Sequence, residues 1–333
     1  MSDSNPVSHL EQSEEAIRAE LIEHNQTICS LIPRLSNSSH KGQSGRIGII
    51  GGSKEYTGAP YFSAISSLKT GADLSYVFCS SDSASVIKSY SPELIVYPIL
   101  DQEEFFEEFT AILPKLHVLV IGPGLGRNET ILSNIGSVIE LIRSKNLPVV
   151  LDADALYLVS NCPEIVRGYT SAILTPNVAE FDRLFCSVFK TDARESGNDD
   201  AKSAVELLAK SLGNITIMRK GPSDIISNGL ITHVCNEPGS ARRCGGQGDL
   251  LSGAIATFNH WFHKSFDSDT NAVSIQSKYT PTILACLAAS MMTRRCSRLA
   301  FQKHLRSTTT SDMIKEIKNS FASLFPIDHL KMN

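Results

Sequence analysis

Short, almost unbroken apolar runs recur along this chain, and each stops abruptly at glycine, aspartate or Thr-Pro. They read RIGIIGG at residues 46–52, HVLVIG at 117–122, LPVVL at 147–151 and AIL at 172–174. A strand with one wet face alternates apolar and polar side chains, so a strand that does not alternate must be covered on both faces. Between the runs lie segments with helical spacing. Phe62, Ile65 and Leu68 mark residues 59–70, and Ile131, Ile135, Val138 and Ile142 follow a candidate cap at Asn128. Shorter helical stretches are read at 155–160 and 179–186, and further strands at 74–79, 93–97 and 215–219. Strand and helix in turn, with strands hidden on both sides, predict an α/β three-layer sandwich on a mainly parallel sheet.

The order changes after residue 220. Residues 224–227 and 230–235 flank Asn228-Gly229, a strong hairpin signal, so a small antiparallel edge is expected on the parallel sheet. Leu250, Leu251, Ala254, Ile255, Phe258, Trp261 and Phe262 form the apolar face of a helix. Residues 281–300 are apolar almost all round, which predicts a buried helix with Pro281 in its first turn. A last amphipathic helix over 311–325 carries Ile314, Ile317, Phe321 and Leu324. Polar stretches without periodicity at 190–202, 264–278 and 306–311 are expected as surface insertions. The expected organisation is one domain over residues 30–328, preceded by a partly helical N-terminal extension over 1–29.

Composition narrows the function classes. With 42% apolar and 20% charged residues the chain reads as a soluble globular protein with ample core. A formal charge of −4 gives no reason to expect nucleic acid or an anionic membrane as partner. No segment approaches the ~20 apolar residues of a membrane span. Residues 1–20 contain Asp3, Glu11, Glu14 and Glu15 and no apolar run, unlike a signal or transit peptide. The eight cysteines are scattered without a Cys-x-x-Cys spacing, and none of the nine histidines forms a ligand-spaced cluster. Reduced thiols, a cytoplasmic location and no zinc site are therefore expected.

Residues 244–253 read Cys-Gly-Gly-Gln-Gly-Asp-Leu-Leu-Ser-Gly, with the apolar helical pattern beginning directly behind Asp249. Glycines let several backbone N–H groups converge, and a helix N-terminus adds unpaired donors and a partial positive charge. A carboxylate there repels phosphate, which is odd for simple anion binding. It is well placed to take a proton from a hydroxyl that attacks phosphorus, which points to phosphoryl transfer from a nucleotide. The same loop also reads as an ordinary helix start, with Asp249 favouring the dipole.

Parallel α/β sheets gather their sites at the carboxyl ends of the strands. Gly51-Gly52-Ser53, Gly122-Pro123-Gly124-Leu125-Gly126-Arg127, Asp152-Ala153-Asp154, Thr175-Pro176-Asn177 and Lys220-Gly221-Pro222 should share one rim, with the 245–249 loop closing on it. GPGLG is either a close approach of backbone to ligand or a plain turn, and its spacing is not the dinucleotide fingerprint. Asn177 and Glu180, three apart, either hold Mg²⁺ through water or cap a helix. Asp152 and Asp154 either organise a metal or a basic group or cap the next helix, and the structural role is the favoured reading. Lys220 either meets phosphate or is solvated, and Arg242-Arg243 are either a solvated pair or a polyphosphate clamp.

Taken together these segments resemble the ribokinase-type α/β family, whose sites pair Asn-x-x-Glu with a glycine-rich anion hole ending in Gly-Asp. More narrowly, the chain resembles the ATP-dependent (S)-NAD(P)H-hydrate dehydratases. The resemblance is carried by Lys41-Gly42-Gln43-Ser44-Gly45-Arg46, Gly51-Gly52-Ser53, Gly58-Ala59-Pro60, Gly71-Ala72-Asp73 and residues 122–127. It continues through LDADAL at 151–156, LTPNVAEFDRL at 174–184, Lys220-Gly221 and residues 244–253. It implies a ribokinase-like sandwich and a hydro-lyase that restores NADH or NADPH from its hydrate. ATP phosphorylates the substrate hydroxyl, and the ring nitrogen's lone pair expels phosphate.

The resemblance implies Asp249 as the base, with amides of Gly246, Gln247 and Gly248 on the transferring phosphate. Gln247 stands where many relatives carry Thr or Ser. Lys220, Gly221, Pro222, Ser223 and Asp224 would bind ATP, as would Gly239, Ser240, Ala241, Arg242, Arg243, Cys244 and Gly245 through to Gly248. Gly124, Asn177, Val178, Ala179, Glu180, Phe181, Asp182 and Arg183 would take the hydrated cofactor beside Asp249, with Glu180 a candidate for Mg²⁺ through water. An epimerase, often fused upstream in bacteria, is expected as a separate protein. A homo-oligomer is compatible with the sequence but not specified by it. The alternatives are a small-molecule kinase of the same fold, acting on a vitamin precursor or a sugar, and a nucleotide binder without activity. GPGLG together with TPNVAEFDR favours the dehydratases.

Overall fold

A computed structural model of the chain describes residues 6–191, 200–268 and 275–326, with side chains from residue 15 onward. The strands are β1 (Arg46–Ile50), β2 (Leu74–Cys79), β3 (Leu94–Pro98), β4 (Val118–Ile121) and β5 (Val149–Leu151), then β6 (Ala172–Leu174), β7 (Thr216–Arg219), β8 (Asp224–Ser227) and β9 (Thr232–Cys235). They form one sheet in the order β3-β2-β1-β4-β5-β6-β7-β8-β9. Strands β1 to β7 pair in parallel, and β8 and β9 add an antiparallel edge. The hairpin forms where Asn-Gly predicts it: Asn228 Oδ1 accepts from the N–H groups of Leu230 and Ile231, an Asx-turn.

Unbroken apolar strands feed two cores, because successive side chains point to opposite faces. Ile47, Ile49, Val118, Val120 and Val150 enter one core, and Ile50, Leu119, Ile121, Val149 and Leu151 the other. The first core is closed by the helices Gly58–Thr70, Gln247–Ser268 and Pro281–His304. The second is closed by Phe105–Ile112, Glu129–Ser144, Asp154–Asn161, Val178–Phe189 and Ala201–Ser211. Gly253 sets the spacing inside the first layer: a Cβ there would lie 2.0 Å from the carbonyl oxygen of Ser63, so only glycine lets these two helices touch.

Several local expectations change. The helices Ser81–Tyr90, Phe105–Ile112 and Ala201–Ser211 add to the expected elements, and Phe105, Phe109 and Ile112, like Val205 and Leu208, do fall at helical spacing. The expected helix over 311–325 is two helices, Thr310–Lys315 and Ile317–Leu324. The chain tightens at Glu316, whose N–H reaches back to Met313, while its buried carboxylate takes up Lys303 and Asn319. Residues 264–268 are helical rather than loop, because helix Gln247–Ser268 runs through them. The expected insertions at 192–199 and 269–274 lie outside the described residues. The N-terminal helix Pro6–Leu31 packs on the body, with Ile28 and Leu31 buried in the first core. Among the described residues no helix is long and apolar enough to cross a membrane.

Candidate active site

Because β1, β4, β5, β6 and β7 are parallel neighbours, the loops that follow them emerge on one rim. Backbone bonds knit that rim together: Gly52 N–H to the carbonyls of Pro123 and Gly124, Asp152 N–H to Ile121, and Lys220 N–H to Pro176. A cleft of about 1020 Å³ opens above it, and the glycine loop lines the facing wall.

Asp152 and Lys220 form the floor of the cleft. Asp152, 2% exposed, accepts from Lys220 Nζ at 2.9 Å and from Thr175 Oγ1 at 2.8 Å. Burial opposes the charge on Lys220, but Asp152 and Glu180 outweigh it and hold the ammonium protonated. Glu180 Oε2 lies 4.0 Å from Lys220 and accepts the Asn177 N–H at 2.8 Å, while Asn177 Oδ1 accepts from Glu180 N–H. The capping box therefore exists, and Glu180 also lines the cleft, so the cap does not take this carboxylate away from the site. Burial pushes the Glu180 carboxyl upward, with Lys220 pulling against it.

Asp249 sits in the first turn of helix Gln247–Ser268, whose first intrahelical bond runs from Leu250 N–H to Gly246. The amides of Gln247, Gly248 and Asp249 precede that bond and have no carbonyl within the helix. A Cβ on Gly248 would lie 3.4 Å from Lys220 Nζ and 3.6 Å from Asp152 Oδ2, so these amides close directly over the floor. Burial first, and the charge of Asp152 second, push the Asp249 carboxyl up to about 7, with Lys220 pulling it down. A carboxylate that titrates near neutrality is matched to proton transfer at working pH.

The cleft brings together Asn177, Val178, Ala179, Glu180, Lys220, Gly221, Pro222, Asp224, Gly239, Ser240, Arg243, Cys244, Gly246, Gln247, Gly248 and Asp249. Others lie off its walls. Phe181 is buried beneath it, with Arg219 over its ring, and Asp182 and Arg183 are exposed on the helix behind. Gly124 is buried at φ +61, where a Cβ would press on Tyr56, so its position is dictated by close packing with the loop before Gly58–Thr70. Ser223 bonds Asn236, and Arg242 turns back on the carbonyl of Arg243. Ala241 and Gly245 are exposed.

Sequence reasoning missed part of the wall. Asp152, read as a helix cap, belongs to the floor, while Asp154 does hold structure by accepting from Gly126 N–H at 2.9 Å. Ala153 beside it adopts φ +48, a strained conformation for a side chain with a Cβ, at the mouth of the cleft. Arg294, Thr293 and Ser297 come from the buried helix Pro281–His304. Arg294 donates to Asp224 at 2.9 Å and to the carbonyls of Gly221 and Pro222, which pins the loop after β7. The signal was present: Arg294-Arg295 end the apolar run that fills the first half of this helix.

Comparison with known proteins agrees with this architecture. The family model described as NAD(P)H-hydrate dehydratase matches residues 47–319. The ATP-dependent (S)-NAD(P)H-hydrate dehydratase of Homo sapiens is 50% identical over 300 residues, covering 90% of this chain and 84% of that protein. That of Ixodes scapularis is 50% identical over 304 residues, covering 91% and 96%. Among solved structures, a ribokinase-like superfamily protein from Enterococcus faecalis superposes with TM-score 0.71 at 20% identity, over 90% of this chain and 94% of that one. An ADP/ATP-dependent NAD(P)H-hydrate dehydratase from Bacillus subtilis, co-crystallised with ATP and Mg²⁺, superposes with TM-score 0.61 at 20% identity, over 89% and 97%. The structural neighbours share the ribokinase-like fold, and the sequence relatives share half of all aligned residues: the chain belongs to the NAD(P)H-hydrate dehydratase family.

Proposed function

We propose that this chain uses ATP to return the S form of hydrated NADH or NADPH to the reduced cofactor. The observation that carries the reading is Asp249, a half-buried carboxylate at a glycine-lined helix start, facing the Lys220–Asp152 pair. Asp249 takes the proton of the substrate hydroxyl as that oxygen bonds the terminal phosphorus of ATP and the bond to ADP breaks. The amides of Gln247 and Gly248 receive the charge on the transferring phosphoryl group, and Lys220 adds a fixed cation below it. The substrate completes the reaction. The ring nitrogen's lone pair expels phosphate from the adjacent carbon, and loss of a proton from the next carbon restores the reduced ring.

The residues fit Mg²⁺ held through water. Both contacts of Glu180 use Oε2, which leaves Oε1 for a metal-bound water, and Asp152 adds a second oxygen donor nearby. Bound Mg²⁺ would offset charge on the ATP phosphates. Gly239, Ser240 and Arg243 line the ATP side, and Asn177 to Glu180 the side of the hydrated nicotinamide. All eight cysteines are unpaired, which supports a reducing, cytoplasmic setting. An epimerase acting on the R form would supply the S form.

The test is Asp249→Asn with hydrated NADH and ATP. Turnover should fall roughly 10²–10⁴-fold while ATP binding persists; near-normal turnover removes the mechanism. The product separates the readings in the wild type. Free phosphate with rising absorbance of reduced nicotinamide marks a dehydratase, whereas a stable phosphorylated product marks a kinase.

A further inference from the structure

A second constellation lies where the N-terminal helix meets β9, the edge strand of the sheet, and none of its residues lines the cleft. Glu20 and His24, four apart on helix Pro6–Leu31, share one helix face. That face meets His233 on β9. His24 Nε2 lies 3.1 Å from His233 Nδ1, and Glu20 Oε1 lies 3.8 Å from the first and 4.0 Å from the second. The same three atoms define each distance, so one point sits about 2.1 Å from all of them, the length of a Zn–N or Zn–O bond.

The surroundings suit a metal. His233 Nε2 lies 2.9 Å from the carbonyl of Lys278, which can only accept, so Nε2 carries the proton and Nδ1 turns its lone pair to the cluster. A ligating histidine is usually oriented in this way. Tyr279 stacks on His233 at 4.8 Å and meets His24 edge-on at 5.9 Å, fixing both rings. His24 is 1% exposed, whereas Glu20 is partly exposed and leaves an open side for water. The cation Lys278 is held by Glu23, not by Glu20.

We propose that Glu20, His24 and His233 form a binding site for one borderline divalent transition-metal ion, Zn²⁺ being the best fit, with water in the fourth position. Two imidazoles and one carboxylate select such an ion over Mg²⁺ or Ca²⁺, which prefer all-oxygen shells. The ion would clip the N-terminal helix to the antiparallel edge of the sheet.

The experiment titrates Zn²⁺ into full-length, chelator-treated protein, with metal content measured after dialysis and melting followed in parallel. Co²⁺ substitution reports coordination through its visible bands. Wild type should hold one equivalent, melt higher by roughly 2–5 °C with Zn²⁺, and give a four-coordinate Co²⁺ spectrum. The surface variant Glu20→Gln should bind at least roughly tenfold more weakly and lose the thermal shift, and His233→Asn likewise. Glu180→Gln, in the cleft, should change none of these readings. Circular dichroism of Glu20→Gln without metal confirms the fold. No binding to wild type, or undiminished binding by either Glu20→Gln or His233→Asn, overturns the proposal.

Discussion

The residue proposed as the base, Asp249, is ionised only part of the time near neutral pH. Burial and Asp152 hold the Asp249 carboxyl up at about 7, and a base acts only once its proton is gone. Activity should therefore be lost as pH falls through about 7, and kcat/KM against pH reads this directly, because it reports the free protein. Asp152→Asn removes a like charge, and Asp249 then ionises at lower pH. The acid limb should move down while kcat drops roughly tenfold, because Lys220 loses its partner. An unmoved limb would show that Asp152 does not tune the base. The place of Asp249 at a glycine-lined helix start was legible, since the glycine run and the apolar pattern behind it are local signals. Asp152 was not, because two acids flanking an alanine read equally well as helix caps.

At the scale of elements, two contacts carry the cleft. Gly253 lets helix Gln247–Ser268 press on Gly58–Thr70, and the Ser63 backbone that a side chain would strike cannot move aside. Gly253→Val should cost about 3 kcal/mol, seen as a lower urea midpoint with the slope unchanged. A loss below about 1 kcal/mol would mean the helices part freely. Arg294 links helix Pro281–His304 to Asp224 and to two carbonyls of the loop after β7, with its side chain 14% exposed. Arg294→Ala should destabilise by about 3 kcal/mol, since it leaves Asp224 buried with its main cation gone. It should also raise the KM for ATP roughly tenfold, while Arg294→Lys recovers part of both. An unchanged KM would detach this arginine from the nucleotide wall.

At the scale of the whole molecule, the cleft is built from both layers of helices and the loops after β5, β6 and β7, so it exists only when those layers are assembled on the sheet. A nucleotide that binds there binds only the folded chain. ATP at about 100 times its dissociation constant should add about 2.7 kcal/mol to stability and raise Tm measurably. Asp249→Asn should keep that shift, which separates loss of chemistry from loss of binding. A wild type whose Tm ignores ATP would place the nucleotide elsewhere.

Local pattern alone determined the strands, their burial on both faces, the antiparallel edge and the glycine-loop helix with its acid. Each is a short-range consequence of periodicity, of glycine's missing Cβ or of a turn dipeptide. The polar helix Ser81–Tyr90 escaped, because it buries little more than Ala84 and Ile87 and its helical state is fixed by the sheet it covers more than by its own stripe. What only the tertiary structure decided are partnerships across long chain distances. Lys220 meets Asp152, Arg294 meets Asp224, and His24 meets His233 across 209 positions, although no spacing in the sequence marks these histidines as a pair. The physical reason is that a pKa, an ion pair or a metal site depends on distance through space. Strand order, and not position along the chain, brought those side chains within reach.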